Sequence, residues 1–516
     1  AVGDNALGAN TTAANNTAVG TQALAANTTG TQNVALGAYA LDANTTASNN
    51  TAVGTSALTA NTTGTGNVGI GTSAIAALTT GSYNTAVGTY ALDASTTDSN
   101  NTAVGYGALS ATESGTQNVG VGVSSLTTNT TGDYNTALGA YALMDNTTGA
   151  HNTALGKSAL ENNTTASYNT AVGSNALNDV TTGAGNIGLG YGAAEKVTTA
   201  NYNVALGYSA LGNNTTGQNQ TAIGYKALNA NATTHRGTAV GYGALEKNIA
   251  DDNTAVGSDA MRACTTGTDS VAVGAYALDA MTTASDNVAV GFSALSATVS
   301  GNYNTAVGTY SLGSCTGASN AGFGYAALNQ TSTGADNSAL GTLAGYSHTT
   351  GSNNTFLGHD AGQAGSPGGA VTTGSNQVCI GDENIANAHI QVDWTIASDA
   401  RDKCDVEDLD VGLEFVNKLQ PKTYRWDQRS LYSDNKDVSP DGTYKKDQLD
   451  VGFLAQDVDV LEEELGFGKS NKKNLISSVS EDGTMYGLKY SKFVPMLVNA
   501  IQELSAEVTK LKEEQN

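Results

Sequence analysis

One alternation of apolar and polar positions runs through the first 381 residues: Asn-Thr-Ala-Val-Gly, two variable residues, Ala-Leu, then a polar stretch that usually contains Asn-Thr-Thr-Gly. Its glycine recurs from Gly3 through Gly20 and Gly37 to Gly241 in uninterrupted steps of 17. It continues through Gly257, Gly274, Gly291, Gly308, Gly324, Gly341 and Gly358 with two steps of 16, and a longer step reaches Gly381. A register held this long marks a repeat architecture, because in a disordered low-complexity tract nothing penalises a slip. Thr-Ala-Val-Gly alternates as a short strand does. The glycine ends the strand, and Ala-Leu supplies a second apolar anchor in a short helical or turn segment. Asn-Thr-Thr-Gly makes the corner, with Asn and Gly in left-handed conformations. Each repeat offers only about three apolar side chains, too few to fold alone, so neighbours must stack into one thin core. The predicted architecture is a β-solenoid. At roughly 4.8 Å per coil, twenty-odd coils make a rod on the order of 100 Å long. The abundance of alanine suits close approach, including approach between chains around a threefold axis.

The period breaks in residues 359–397. Gly365-Ser366-Pro367-Gly368-Gly369 reads as a linker, Asn376–Gly381 as a last repeat-like strand, and His389–Ile396, with Trp394, as another. From Ser398 the pattern is that of a compact α+β domain. Leu409, Leu413, Val416 and Leu419 predict a helix that Pro421 stops. Thr423–Trp426 and Val451–Gln456 read as strands, the second leading into a helix around Val458–Leu465. Tyr486–Tyr490 precedes a final helix over about Lys492–Glu513. There Leu497, Ile501, Leu504, Val508 and Leu511 alternate in steps of four and three, a coiled-coil seam. The seam is too short to hold by itself. Its β-branched residues at one position and leucine at the other nominally favour two strands over three.

Composition narrows the functional classes. Charged residues are 13% and aromatics 6%, with 62 glycines, which is unlike a row of independent globular domains. Of the 22 Lys and Arg, 6 lie in residues 1–397, against 22 of the 46 Asp and Glu, so the two parts carry −16 and −8 of the net −24. An acidic surface without a basic stripe argues against nucleic acid, and no apolar run is long enough for membrane insertion or a signal peptide. The chain opens inside a repeat, so an attachment domain or export signal is expected upstream. Cys264, Cys315, Cys379 and Cys404 are too scattered for a disulfide framework or a metal signature. His359, beside Asp360, and His389 read as surface or packing residues. No metal or cofactor is expected. A glycan-cleaving enzyme needs paired carboxylates in a cleft, which acids scattered among small side chains do not offer.

The repeats, over residues 1 to about 381, are similar to those of phage tail fibres and, more loosely, to the heads of trimeric autotransporter adhesins. Four ordered motifs carry a more specific likeness: Ser-Asp-Ala-Arg-Asp-Lys at 398–403, Leu-Gln-Pro-Lys-Thr-Tyr-Arg-Trp at 419–426, Val-Gly-Phe-Leu-Ala-Gln at 451–456, and the run from Tyr490 to Leu504. Together they resemble the intramolecular chaperone domain of endosialidase-type phage tail spikes and fibres. The resemblance implies a trimer-forming chaperone that helps assemble the fibre and then releases itself by autoproteolysis. It places the dyad at Ser398 and Lys403 and the cut at Ser398-Asp399. The chemistry is consistent, since a serine hydroxyl attacks only when a base takes its proton, and a lysine becomes such a base only when burial removes it from water. Arg401 would position Asp399 or stabilise the oxyanion. Asp402, where that family often has an apolar residue, would oppose removal of the Lys403 proton.

These readings give a mostly β chain: a fibrous, trimeric 17-residue-repeat β-solenoid over 1–358, a transition segment over 359–397, and a small α+β chaperone domain with a C-terminal coiled-coil helix over 398–516. The expected function is a virion tail fibre that adheres to a host-cell receptor, a glycan or an outer-membrane component. Its one enzymatic act would be a single self-cleavage in cis by Ser398 and Lys403. The alternatives are a bacterial trimeric surface adhesin, or a Thr-rich solenoid that binds glycan or ice.

Overall fold

The structure, a computed structural model, describes residues 1–366, 369–385, 388–389, 391, 396–429, 432, 438–467, 474–480, 483 and 485–515. They divide into two units, Ala1–Asn304 and Thr305–Asn516. In the first, seventeen three-residue strands run from Thr17–Val19 to Val288–Val290, one per repeat. Each pairs in parallel with the strand of the next repeat: Thr17 with Val34, Ala18 with Ala35, Val19 with Leu36, and so on. The 16-residue repeat keeps the pairing, with Thr238 opposite Thr254. The predicted solenoid is the fold of this unit.

The packing explains the composition. In every strand the central Ala or Gly points inward, while the residues on either side of it point out. The core of a coil is therefore the strand alanine with the later Ala-Leu pair, such as Ala18, Ala23 and Leu24, all 0–1% exposed. The repeat glycine has φ near +134° at Gly20, and a Cβ there would sit 2.5 Å from the carbonyl of Gly37. Only glycine lets the coils stack that closely.

The turn chemistry differs from expectation. The left-handed residues are not those of Asn-Thr-Thr-Gly. They are Gln22 and Leu24 in the turn after the strand, and Gln32 just before the next one, with the same columns repeated coil after coil. The Ala-Leu segment is accordingly a turn and not a helix. A left-handed leucine costs roughly 1–2 kcal/mol, which burial of its side chain, about 1.5–3 kcal/mol, offsets. The asparagines instead lie inside. Asn50 Oδ1 accepts from the Asn67 backbone N–H at 2.8 Å, and Asn50 Nδ2 donates to the Gly64 carbonyl at 2.8 Å. Asn44 Nδ2 donates to Asn27 Oδ1 at 2.8 Å and to the Ala47 carbonyl at 3.1 Å. Two internal asparagine ladders thus satisfy the backbone of the turns, where no regular strand pairing reaches.

The second unit repeats the coil in five parallel strands, Thr305–Val307, Ala321–Phe323, Ser338–Leu340, Thr355–Leu357 and Val378–Ile380. The last is the strand expected at Asn376–Gly381, and it pairs with Thr355–Leu357 across a longer coil. Within that coil Ser366, read as linker, is buried; its Oγ accepts from Gly362 N at 2.8 Å and donates to the Gly381 carbonyl at 3.0 Å. The strand expected over 389–396, with Trp394, lies largely outside the described residues.

The α+β domain follows in the same unit. Helix α1 is Leu413–Lys418, shorter than the 409–419 pattern because Gly412 stands at its start. Lys422–Tyr424 pairs antiparallel with Asp450–Gly452, where the expected second strand ends early and gives way to α2, Ala455–Glu464. Ser477–Val479, a polar strand absent from the expectation, pairs with Tyr486–Leu488. Helix α3 spans Phe493–Glu514. Val411, Phe415, Val458, Leu461, Ile476, Phe493 and Met496 form the core. Buried Glu462 holds the lower strand pair, accepting from the backbone N–H groups of Leu475, Ile476 and Ser477 at 2.9, 2.6 and 3.0 Å. Only the first turns of α3 join this core; from Ile501 onward the helix is exposed. Among the described residues no helix is long and apolar enough to cross a membrane.

Candidate functional site

The segment Ser398–Lys403 wraps around one short turn. Asp399 caps a single 3-10 turn, Ala400–Asp402, by accepting from the Arg401 N–H at 2.9 Å. Short polar residues do this readily, because their side chains compete for neighbouring backbone donors. The turn folds the chain back so that Lys403 Nζ donates to Ser398 Oγ at 2.7 Å. Two groups five residues apart in sequence are thereby in direct contact. Arg401 clasps Asp399 through two guanidinium nitrogens, which holds that carboxyl below the usual carboxylate range. Among the described residues Asp402 makes no ion pair with Lys403. Ser398, Asp399, Arg401 and Lys403 are all exposed.

The turn leads into the domain described above. Residues 398–466 match the family of the chaperone of endosialidase. The match begins on Ser398, at the residue that contacts Lys403. It ends before the second strand pair and α3, yet Ile476, Phe493 and Met496 share one core with Phe415 and Val458, so the endosialidase-chaperone domain folds as a unit with residues beyond the match. No curated protein matches the chain. A parallel β-solenoid followed by an endosialidase-chaperone domain is a tail-spike-like architecture, the one the motifs pointed to.

Outside this turn, three constellations stand out, and the sequence reading missed each. His359 Nδ1 lies 3.3 Å from Asp360 Oδ2 and 3.3 Å from Asp382 Oδ2, and the three groups could hold a metal ion. Burial alone would push Asp382 up; hydrogen bonds from Asn384 and His359 outweigh it and hold the carboxyl below its usual range. The signal was the repeat column, since His359 and Asp382 each follow a repeat glycine. Tyr191, Tyr208, Tyr225 and Tyr242 also follow a repeat glycine, in four successive coils. Their exposed rings stack with centroids 5.4, 5.4 and 5.1 Å apart. The third is the outward face of the strands. Of the cysteines, Cys264 and Cys315 are buried, which pushes their thiols up to about 11; Cys404 is exposed.

Proposed function

We propose that this chain is a phage tail fibre, a homotrimer in the virion, whose C-terminal domain templates assembly and then cuts itself off at Ser398-Asp399. The observation that carries this reading is the 2.7 Å contact between Lys403 Nζ and Ser398 Oγ at the first residue of the chaperone match. In the reaction Lys403 takes the Ser398 Oγ proton, the oxygen attacks the Ser398 carbonyl carbon, its bond to the Asp399 nitrogen breaks as Lys403 returns the proton to that amine, and water then opens the resulting ester to leave a Ser398 carboxylate. In the single chain Ser398 and Lys403 are both exposed, so nothing yet favours the neutral amine that could take the serine proton. Assembly that removes water from the pair would convert donor to base, which ties cutting to a completed trimer. The solenoid gives length and rigidity, and the exposed tyrosine row supports contact with a host receptor, a glycan being the chemistry that aromatic and hydroxyl groups suit.

Intact mass of assembled protein tests the reading. Wild type is expected to yield a C-terminal fragment that begins at Asp399. Ser398→Ala, and Lys403→Arg, which keeps the charge but cannot serve as a base, are expected to stay whole while assembling normally. A wild-type chain that remains uncut after assembly, or a Ser398→Ala chain that is cut, refutes self-cleavage.

A further inference from the structure

The strand face of the first unit is the surface to explain. Each of its seventeen strands directs two side chains outward. The first is Thr, Val or Ile, and the second is Val, Leu or Ile in every strand, from Val19 and Leu36 to Val290. None of these positions carries a charge, on a chain of net −24. Leu36 is 47%, Leu138 45% and Leu206 43% accessible, and other outward positions, such as those of Thr51–Val53 and Thr102–Val104, are half-buried. The charges stand in other columns. The two positions after the inward leucine, or after Ala194 in its column, hold Asp42, Asp93, Asp145, Glu161, Asp179 and Glu195. Outward residues of a strand exposed to water are ordinarily polar, and an uncovered apolar face of this kind marks an interface.

We infer that this face is where further copies of the same chain pack, three strand faces meeting along the fibre axis. Charge selects the occupant. Copies of an acidic chain repel one another across their charged columns but meet no repulsion here, while a basic partner has nothing to read on a face without acids. Period selects it too. The face repeats at one strand spacing, and a second copy repeats identically, so every outward Val or Leu meets an equivalent position. Size bears on it too: sixteen steps of about 4.8 Å by three residues of about 3.3 Å give each chain a footprint of roughly 750 Å², which a trimer divides between two neighbours at about 375 Å² each, so this face closes the shaft together with other contacts and not alone. Helix α3 offers an independent parallel, since its seam residues Ile501, Leu504 and Leu511 are exposed in the single chain, and a heptad seam is completed by another helix. The inference rests on the homotrimeric reading and adds which face closes the shaft.

The test compares full-length Leu36→Lys/Val53→Lys/Ile70→Lys with Ala43→Lys/Ala60→Lys/Ala77→Lys. The second variant adds the same charge to the same coils, one position beyond the residue that follows the inward leucine. Mass by light scattering is expected to fall to that of one chain for the face variant, its association weakened at least about a thousandfold by charges buried without partners. The control is expected to keep the wild-type mass. Should the face variant misfold, Leu155→Cys and Asp179→Cys in a Cys404→Ser background decide the matter: oxidation is expected to link chains through position 155 and not through 179. Wild type with three-chain mass, together with an unaffected face variant or links through 179 alone, overturns the face and leaves the trimer standing. Wild type with the mass of one chain overturns both.

Discussion

A single residue can break the pattern of a coil, and Asp98 does. It occupies the column where neighbouring coils place Gly81 and Gly115, with Ser95 where other coils have the ladder asparagine. Ser95 Oγ donates to its Oδ2 at 3.1 Å, while Oδ1 is buried without a partner. Burial is the main cause that pushes this carboxyl up to about 6, with Asp133 and Glu113 adding to it against the Ser95 hydrogen bond. The folded form therefore holds its proton more tightly than the unfolded chain, whose value is near 3.8. The contribution of Asp98 to stability is fully present below about pH 4 and is lost as pH rises through about 6, by about 2 kcal/mol once partial solvent access is allowed for. Asp98→Asn, neutral throughout, is expected to melt several degrees above wild type at pH 8 and within about a degree of it at pH 4. Equal melting differences at both pH values would assign the effect to packing instead of charge.

Coils are held by ladders, and here the sequence was only partly legible. Period, strand position and the inward Ala-Leu pair could be read because each recurs at a fixed step. The asparagines could not, since Asn before Thr-Thr is equally good turn chemistry; nothing in a single repeat shows that Asn27 and Asn33 both point inward. Nor could the outward valine, because Thr-Ala-Val alternates equally well with either face buried. In the C-terminal domain the polar Ser477–Val479 strand lacks any apolar alternation to announce it, and its stability comes from the distant Glu462. The Ser398–Lys403 pair was legible from motif order, whereas His359 and Asp382 meet only because a 23-residue step brings them into one column. The ladder makes a sharp prediction. Asn152 Oδ1 accepts from Asn169 N at 2.9 Å, and its Nδ2 donates to the Ala166 carbonyl at 2.8 Å. Asn152→Ala strands the buried Asn169 N–H, while the Ala166 carbonyl keeps its bond from Asn163 Nδ2 at 3.1 Å, and is expected to cost about 2 kcal/mol, whereas Thr170→Ala on the outward side should stay within about 0.5 kcal/mol in a single chain. Loss of hydrogen-exchange protection at the Asn169 amide reports the first effect directly.

For the molecule as a whole, stability and completion are separate matters. The single chain packs its interior but leaves apolar surface on the strand face and on the far turns of α3, and its Ser398–Lys403 pair stands in water. If other copies supply what is missing, cutting follows assembly and inherits its order in concentration. A tenfold dilution of refolding wild-type chain is then expected to lengthen the half-time of fragment release by about tenfold or more. The same logic predicts that Leu504→Arg/Leu511→Arg remains uncut. Neither side chain belongs to the core that Phe493, Met496 and Ala500 anchor, so the far-ultraviolet circular dichroism of each chain should be unchanged. Repelling arginines would instead keep the helices apart and leave Lys403 a donor. A half-time indifferent to dilution would mean that one chain dries its own lysine, and the coupling of cutting to assembly would have to be abandoned even if Ser398 and Lys403 remain the reacting pair.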